Sequence, residues 1–476
     1  MILLKRVNRL PYLDTFLVLL RKRKGLVGFS LLLFFVTIAL LADVIAPNPP
    51  SAVGLADGFA YPAWFKLFPQ YRDLPENLQV TLGPHSGALS VNGKVSTESP
   101  LPNSLLLTLG GSERASGLVE LKYTFYYPYA PPKRFEATIP YNITVYSSSG
   151  ARARVVLSLT TQDGSTYTLY DTGYLSKNVS RVDTPARFDS RDIMFKINNG
   201  FSEYEDVGEK VFDRKGNYTL TLSVFMVNPG NSTVRVLLYP VVFRVPGLAY
   251  GVLGTDALGS DIFSNLIHGT RVSLLVGVLA SVISVSIGLL VGIVAGYKGG
   301  FVDQALIFLT DTLLFIPIIP LLIAVSVYIG KSLYLMIVLI ALFSWMGFAR
   351  NTRALVMSLR ERLFVEAARA AGAGNLYIIF RHILPLLTPV VYITLVLNIP
   401  GAVLTEAALS FLNLGDPSVP SWGRMLYNAR YSGAFFKLMW WWILPPGIML
   451  MLLSMSFVLI GQALDEVFNP KLRARR

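Results

Sequence analysis

Long apolar runs occur near the start of the chain and throughout its second half, and residues 48–250 between them contain none. The first run, Leu26 to Ala46, is 21 residues long. At 1.5 Å per residue it reaches about 32 Å, enough to cross a hydrocarbon core. Further helices of this kind are expected near 271–297, 302–329, 332–350, 384–412 and 443–462, giving six spans in all. Upstream, Leu10 to Leu20 is apolar but short and interrupted by Pro11 and Asp14, which suits an interfacial helix better than a span. Trp440, Trp441 and Trp442 suit a membrane interface, with Pro445 and Pro446 expected at the start of the last helix, where proline is tolerated.

The intervening stretch follows a different period. Leu118 to Tyr127, Arg134 to Tyr146, Arg152 to Leu159, Tyr218 to Val227 and Val234 to Val245 alternate apolar with polar positions, the mark of half-buried strands. Asn228-Pro229-Gly230-Asn231 supplies a turn between the last two. The stretch therefore reads as an all-β sandwich. The first span would deliver it to the outer side of the membrane, where the sequons at Asn142, Asn178, Asn217 and Asn231 would suit an exterior surface.

Composition agrees with a membrane protein carrying a soluble insert: 53% of residues are hydrophobic and 15% charged. The net charge of +13 would raise the question of nucleic acid, but its distribution answers it. Residues 48–250 hold 19 Lys/Arg against 17 Asp/Glu, whereas the remainder holds 23 against 12. The excess sits in the first 24 residues, at Lys298, between Arg350 and Arg381, and after Gln462, which is the positive-inside pattern with both termini cytoplasmic. No aromatic-interleaved basic stripe accompanies it, so nucleic acid is not an expected partner. The absence of cysteine excludes disulfides, thiol catalysis and zinc thiolate sites.

The segment between the runs ending near 350 and beginning at 384 carries Arg353, Arg360, Arg362, Arg369 and Arg381, and each Arg would cost about 2.5 to 3.5 kcal/mol in hydrocarbon. It is a cytoplasmic loop. Within it Glu366-Ala367-Ala368 is followed by Gly372 and Gly374 and then by Leu384-Pro385; the alanines favour helix and leave a surface another backbone can approach closely. This pattern resembles the EAA loop of ATP-binding-cassette importer permeases. His382 departs from the general pattern, which has an aliphatic residue there, in the manner of the peptide-importer branch.

Other segments resemble the dipeptide and oligopeptide permeases in the same order: Gly254-Thr255-Asp256 with Leu258-Gly259 and Asp261, Gly269 with Arg271 and Ser273-Leu274, Ala295-Gly296-Tyr297 with Gly299-Gly300 and Asp303, Asp311 with Pro317, Leu409-Ser410-Phe411-Leu412 with Leu414-Gly415, and Ser421-Trp422-Gly423. The chain looks like the second permease of such importers. Ser260 stands where the family commonly has Arg, and Gly461-Gln462-Ala463-Leu464-Asp465-Glu466 replaces its Gly-Asp-rich ending.

The resemblance implies a type I importer permease bundle of six transmembrane helices, here with a large extracytoplasmic all-β sandwich insert, in a plasma or inner membrane. The expected divisions are a cytoplasmic segment 1–24, the first span 25–47, the insert 48–250, a permease core 251–470 containing the coupling loop 350–385, and a cytoplasmic tail 471–476. Implied partners are a second homologous permease subunit in a heterodimer, two ATP-binding ATPase subunits, an extracytoplasmic solute-binding protein and membrane lipid. Coupling to the ATPase would fall on Glu366, Ala367, Ala368, Gly372, Gly374, Leu384 and Pro385, and a bulky replacement at Ala368 or Gly372 would uncouple hydrolysis from uptake in a folded protein.

No catalytic residue, metal or cofactor is expected in this chain. Gly330-Lys331-Ser332 lacks the earlier glycine of a Walker A loop, Val325 standing in its place, so ATP is hydrolysed elsewhere. Asp311 and Glu406 fall inside expected spans and must face protein, water or a partner. They line a translocation path or hydrogen-bond a neighbouring helix. Relatives of this kind carry peptides, oligosaccharides or nickel complexes. A membrane-anchored surface receptor or glycoprotein would not need five further spans, and a secondary transporter would show inverted repeats, of which the sequence has none that is convincing.

Overall fold

The computed structural model describes residues 18–83, 87–146 and 150–468, which divide into two compact units. One comprises Val53–Asp261; the other joins the chain before it to Ile262 and beyond.

Residues Val53–Asp261 form two facing antiparallel sheets. Their strands are β1 (Leu78–Leu82), β2 (Ala88–Gly93), β3 (Ser96–Glu98), β4 (Leu105–Gly111), β5 (Ala115–Tyr127), β6 (Glu136–Tyr146), β7 (Arg152–Thr160), β8 (Thr166–Asp171), β9 (Val179–Asp189), β10 (Gly216–Asn228), β11 (Ser232–Leu238) and β12 (Val241–Val245). One sheet runs β1-β12-β6-β11-β4-β3 with β9 added on β6; the other runs β2-β5-β10-β7-β8. Alternate side chains such as Val155, Leu157, Leu159, Leu220, Leu222 and Val224 are buried between them, as a period of two requires. The all-β character expected from alternation is present. The expected single strand Val234 to Val245 is instead two, broken at Tyr239-Pro240, where proline has no N–H for the ladder. The break lets β11 pair with β4 while β12 turns to β1, both remaining beside β6. In the turn before β11, the Asn228 carboxamide oxygen accepts from Gly230 N at 2.9 Å and from the Ser232 hydroxyl.

The second unit is helical: α1 (Arg23–Leu40), α2 (Ala42–Ile45), then, after the short α3 (Ile193–Asn198) and α4 (Val207–Val211) of the β unit, α5 (Ile262–Lys298), α6 (Gly300–Leu314), α7 (Ile318–Ile329), α8 (Leu333–Ser344), α9 (Met346–Arg360), α10 (Leu363–Ala370), α11 (Asn375–Ile378), α12 (Leu384–Phe411), α13 (Trp422–Tyr431) and α14 (Trp440–Phe468). Among the described residues, five helices are long and apolar enough to cross a membrane: Arg23–Leu40, Ile262–Lys298, Leu333–Arg360, Asn375–Phe411 and Trp440–Phe468. The single helix expected near 302–329 is instead two, α6 and α7. α6 and the stretch Ile319–Val325 of α7 meet at 83°, the break falling at Pro317, which has no N–H to continue the helix. Pro445 and Pro446 also differ from expectation, lying inside α14 rather than at its first residue.

A stripe of glycines fixes α5 against α9. A Cβ at Gly288, Gly292 or Gly296 would meet Trp345 O at 2.8 Å, Ala349 O at 2.7 Å or Arg353 O at 2.7 Å. One small residue every turn lets the backbones touch, the usual route to close helix packing where lipid offers no hydrophobic drive.

Candidate coupling site

The site grows from the end of this helix pair. Val365, on α10, is fully buried in a cluster with Ile293 and Tyr297 of α5, Val356 of α9, Ile378, Ile383 and Leu387. Ala368, one turn further along α10, packs partly against the same cluster. The opposite face is free: Glu366, Ala367, Arg369 and Ala370 are exposed. A carboxylate in the first turn of α10 and Arg369 in its last turn also complement the helix dipole.

Gly372 ends α10 for a definable reason. Its φ of +83° is left-handed, Gly372 N donates to Arg369 O at 3.0 Å and Ala373 N to Ala368 O at 3.0 Å, the two bonds of a Schellman cap. Gly374 is exposed with φ −72° at the cap of α11. The chain then passes through a π-helical turn, Ile379–Ile383, into α12. Pro385 is in the first turn of α12 and cannot donate to the carbonyl four residues back, which the wider turn accommodates. Leu384 packs partly on the Val365 cluster, while Pro385 is exposed.

Two polar links hold the loop from behind. The Tyr297 hydroxyl donates to Asn375 Oδ1 at 3.0 Å, and Arg360 Nη1 to Tyr297 O at 3.4 Å. Just above, Asp303 takes a two-pronged contact from Arg353, Nη2 lying 2.6 Å from Oδ2. Around α10 stand large side chains with most of their surface open: Leu363 (81%), Leu376 (71%), Phe380 (64%) and Tyr377 (57%). Tyr377 also lies edge-on to the His382 ring, centroids 5.7 Å apart. Of the seven motif residues, Ala368 and Leu384 meet at the Val365 cluster, and Glu366, Ala367, Gly372, Gly374 and Pro385 are exposed.

This arrangement alters one expectation. Ala368 faces its own chain and Gly372 holds a positive φ, so bulk at either strains the fold itself. Ala367 and Ala370 are exposed, so enlargement there leaves the chain's own packing undisturbed. Val365, Tyr297, Asn375 and the exposed apolar side chains were not assigned roles by the sequence. The apolar residues at either side of the Glu-Ala-Ala motif, in a loop otherwise rich in arginine, were the available signal.

Asp311 and Glu406 meet different partners. Asp311 accepts from Arg350, Nε to Oδ1 at 2.9 Å, so α6 and α9 are tied by two ion pairs, Asp303–Arg353 and Asp311–Arg350. Glu406 is fully buried in α12, its Oε1 accepting from the Ser410 hydroxyl at 2.6 Å. Near it, Trp422 is buried and donates from Nε1 to Leu266 O at 2.9 Å, with Gly269 packed on its ring. The Gly-Thr-Asp segment also has a structural task within the β unit. Thr255 Oγ1 accepts from Ala60 N at 2.9 Å and donates to Asp57 O at 2.6 Å, while Asp256 receives Leu258 N and Ser260 N.

Long apolar helices packed through glycine, with a ledge of alanines, one carboxylate and exposed apolar side chains at the end of two of them, mark an α-helical membrane protein. Residues 288–474 match the family described as binding-protein-dependent transport system inner membrane component, and the chain belongs to that family. It is 37% identical over 247 residues to the di/tripeptide transport system permease protein of Pseudomonas aeruginosa, covering 52% of this chain and 80% of that one. It is 40% identical to a probable peptide ABC transporter permease of Sinorhizobium fredii, covering 47% of this chain and 76% of the relative. Among solved structures, the inward-facing methionine transporter MetNI is matched at 21% identity over 44% of this chain and 96% of that one, with a TM-score of 0.33.

Proposed function

We propose that this chain is the membrane-spanning permease subunit of an ATP-driven importer of di- and oligopeptides. It pairs with a second, homologous permease, sits on two ATPase subunits and receives substrate from an extracytoplasmic binding protein. The ledge around α10 faces the cytoplasm with both termini, the bent pair α6–α7 supplies the sixth crossing, and the β unit lies on the outer side.

The observation that carries the reading is the two-sided build of α10. Val365 clamps one face to α5, α9, α11 and α12, while the other presents alanines and one carboxylate amid exposed Leu363, Leu376, Tyr377 and Phe380. An exposed apolar group of this kind calls for a partner. Movement of an ATPase under it is passed to α5, α9 and α12, whose tilt opens the path alternately to either side. Among the described residues no group of three or more His, Cys, Asp or Glu is placed to hold a metal, and the reading assigns no cofactor to this chain. Asp311 and Glu406 are proposed as bracing groups near that path, since each already has a partner on protein.

The test is co-purification and transport. Tagged chain should bring the ATPase subunits with it, and reconstituted complex should take up labelled dipeptide only with ATP and binding protein present. Isolation of the chain free of any ATPase from its native membrane, or uptake without nucleotide, would overturn the reading.

A further inference from the structure

The β unit contains a cleft of about 510 Å³ on the outer face of the β9–β6–β12 sheet. Its floor follows from register: Asp189 pairs with Glu136 and Glu136 with Arg244, while in the next outward row Arg187 pairs with Thr138 and Thr138 with Val242. Alternation sends Ala137 and Ile139 into the core and leaves Glu136 and Thr138 outward.

The two rows differ in charge balance. In the first, Arg134, itself 7% exposed, reaches Asp57 at 2.8 Å, Glu136 at 3.2 Å and Asp189 at 3.3 Å. Arg244 adds a contact to Glu136 at 3.2 Å and Arg191 one to Asp189 at 2.7 Å. Every carboxylate there is engaged by a guanidinium. The second row has Arg187, which among the described residues has no carboxylate within 4 Å, beside the hydroxyl of Thr138. Four guanidinia therefore line up with three carboxylates, and the one left over, Arg187, sits opposite Thr138 in the register. Exposed Val53 and Leu258 stand at the rim of the same cleft.

From these we infer that the cleft binds a small amphipathic carboxylate, the free C-terminus of a short peptide, with Arg187 and Thr138 holding the carboxylate and Val53 and Leu258 covering an apolar side chain. Guanidinium matches carboxylate with two parallel N–H donors, and the bond is about twice as strong as a neutral one. The volume falls within the 300 to 1,000 Å³ usual for small-ligand sites. The choice of peptide as the carboxylate rests on the import reading above. The β unit would then concentrate substrate independently of the binding protein.

The experiment uses the full chain in lipid nanodiscs, without partner subunits, titrated calorimetrically with alanyl-phenylalanine, its C-terminal amide and acetate. Saturable binding is expected for the dipeptide, at least tenfold weaker binding for the amide and for acetate, and at least a tenfold loss in Arg187→Ala with partial recovery in Arg187→Lys. Thr138→Val should lose about threefold. Both side chains point away from the core, so the melting temperature of the variants should match that of the parent. Absence of saturable binding, equal affinity for amide or acetate, or an Arg187→Ala variant that binds like the parent would overturn the inference. Dipeptide uptake by the assembled importer is measured alongside: retained uptake with no binding at the cleft sinks this inference alone, whereas lost uptake in the unaltered complex sinks the transport reading.

Discussion

Tyr297 and Asn375 are 78 positions apart, yet the Tyr297 hydroxyl donates to the Asn375 carboxamide at 3.0 Å. The bond joins the end of α5 to the first residue of α11, so the ledge is hung from a membrane-spanning helix as well as packed against it. Tyr297→Phe should leave the helices folded and weaken this suspension by about 1 kcal/mol, the net worth of a typical hydrogen bond. Hydrogen exchange over residues 363–380 should quicken roughly fivefold, with α5 unchanged. Unaltered exchange in the loop would show that packing on Val365 alone holds it.

Enlarging the two faces of α10 should have different outcomes. Ala367→Trp adds bulk to the open face and should leave the unfolding free energy within about 0.5 kcal/mol of the parent, as expected for a surface change, while abolishing ATPase binding. Ala368→Trp must displace the Val365 cluster and should cost about 1 to 3 kcal/mol. Measured by pull-down and thermal unfolding, equal stability of the two variants would contradict the assigned faces.

Asp303 and Arg353 tie α6 to α9 where Asp303 is largely enclosed by protein. Removing one partner, as in Asp303→Ala, leaves Arg353 without its carboxylate but partly in contact with solvent and should destabilise by about 1 kcal/mol. The exchange Asp303→Arg with Arg353→Asp should restore part of that loss. A double variant no better than the sum of its single changes would show that the pair is not coupled.

In the β unit Asp171 lies below the ordinary carboxylate range because Arg154 hydrogen-bonds it, Nε to Oδ1 at 2.8 Å, with the Gly173 N–H assisting and partial burial opposing. Its folded value is depressed from 3.8, so the stability it gives is present above that value and disappears as pH falls through the folded one. Melting temperature followed from about pH 6 to about pH 3 should fall more steeply below pH 4 in the parent than in Asp171→Asn. Identical acid limbs would remove Asp171 from the account.

Much of this was legible from period and motif. Alternation revealed the β unit through Arg152 to Leu159 and Tyr218 to Val227, since each strand buries every second residue against the opposite sheet. That the arginine-rich segment 350–385 is set apart from the long apolar runs was legible because arginine is too costly in lipid. What stayed hidden depends on long-range pairing. Nothing local says that Arg350 goes to Asp311 and Arg353 to Asp303, that Val365 is the buried residue of α10, or that one outward row of the sheet balances its charges and the next does not. The break at Phe315–Pro317 was missed for another reason: the apolar run continues through it, and hydropathy carries no record of direction.

Arg271 and Asp43 stand 228 positions apart and are joined at 2.9 Å between Nη2 and Oδ2. With a flexible chain between them, closing so wide a ring would cost entropy that grows with the logarithm of its length. The β unit removes most of that cost, because its own ends are already stitched, Gly54 N to Leu258 O and Leu55 N to Gly259 O, each at 2.9 Å. A sandwich that folds first works as a buckle, returning the chain close to where it left. A lesion that unfolds the sandwich should therefore restore that closure cost and loosen the Arg271–Asp43 contact.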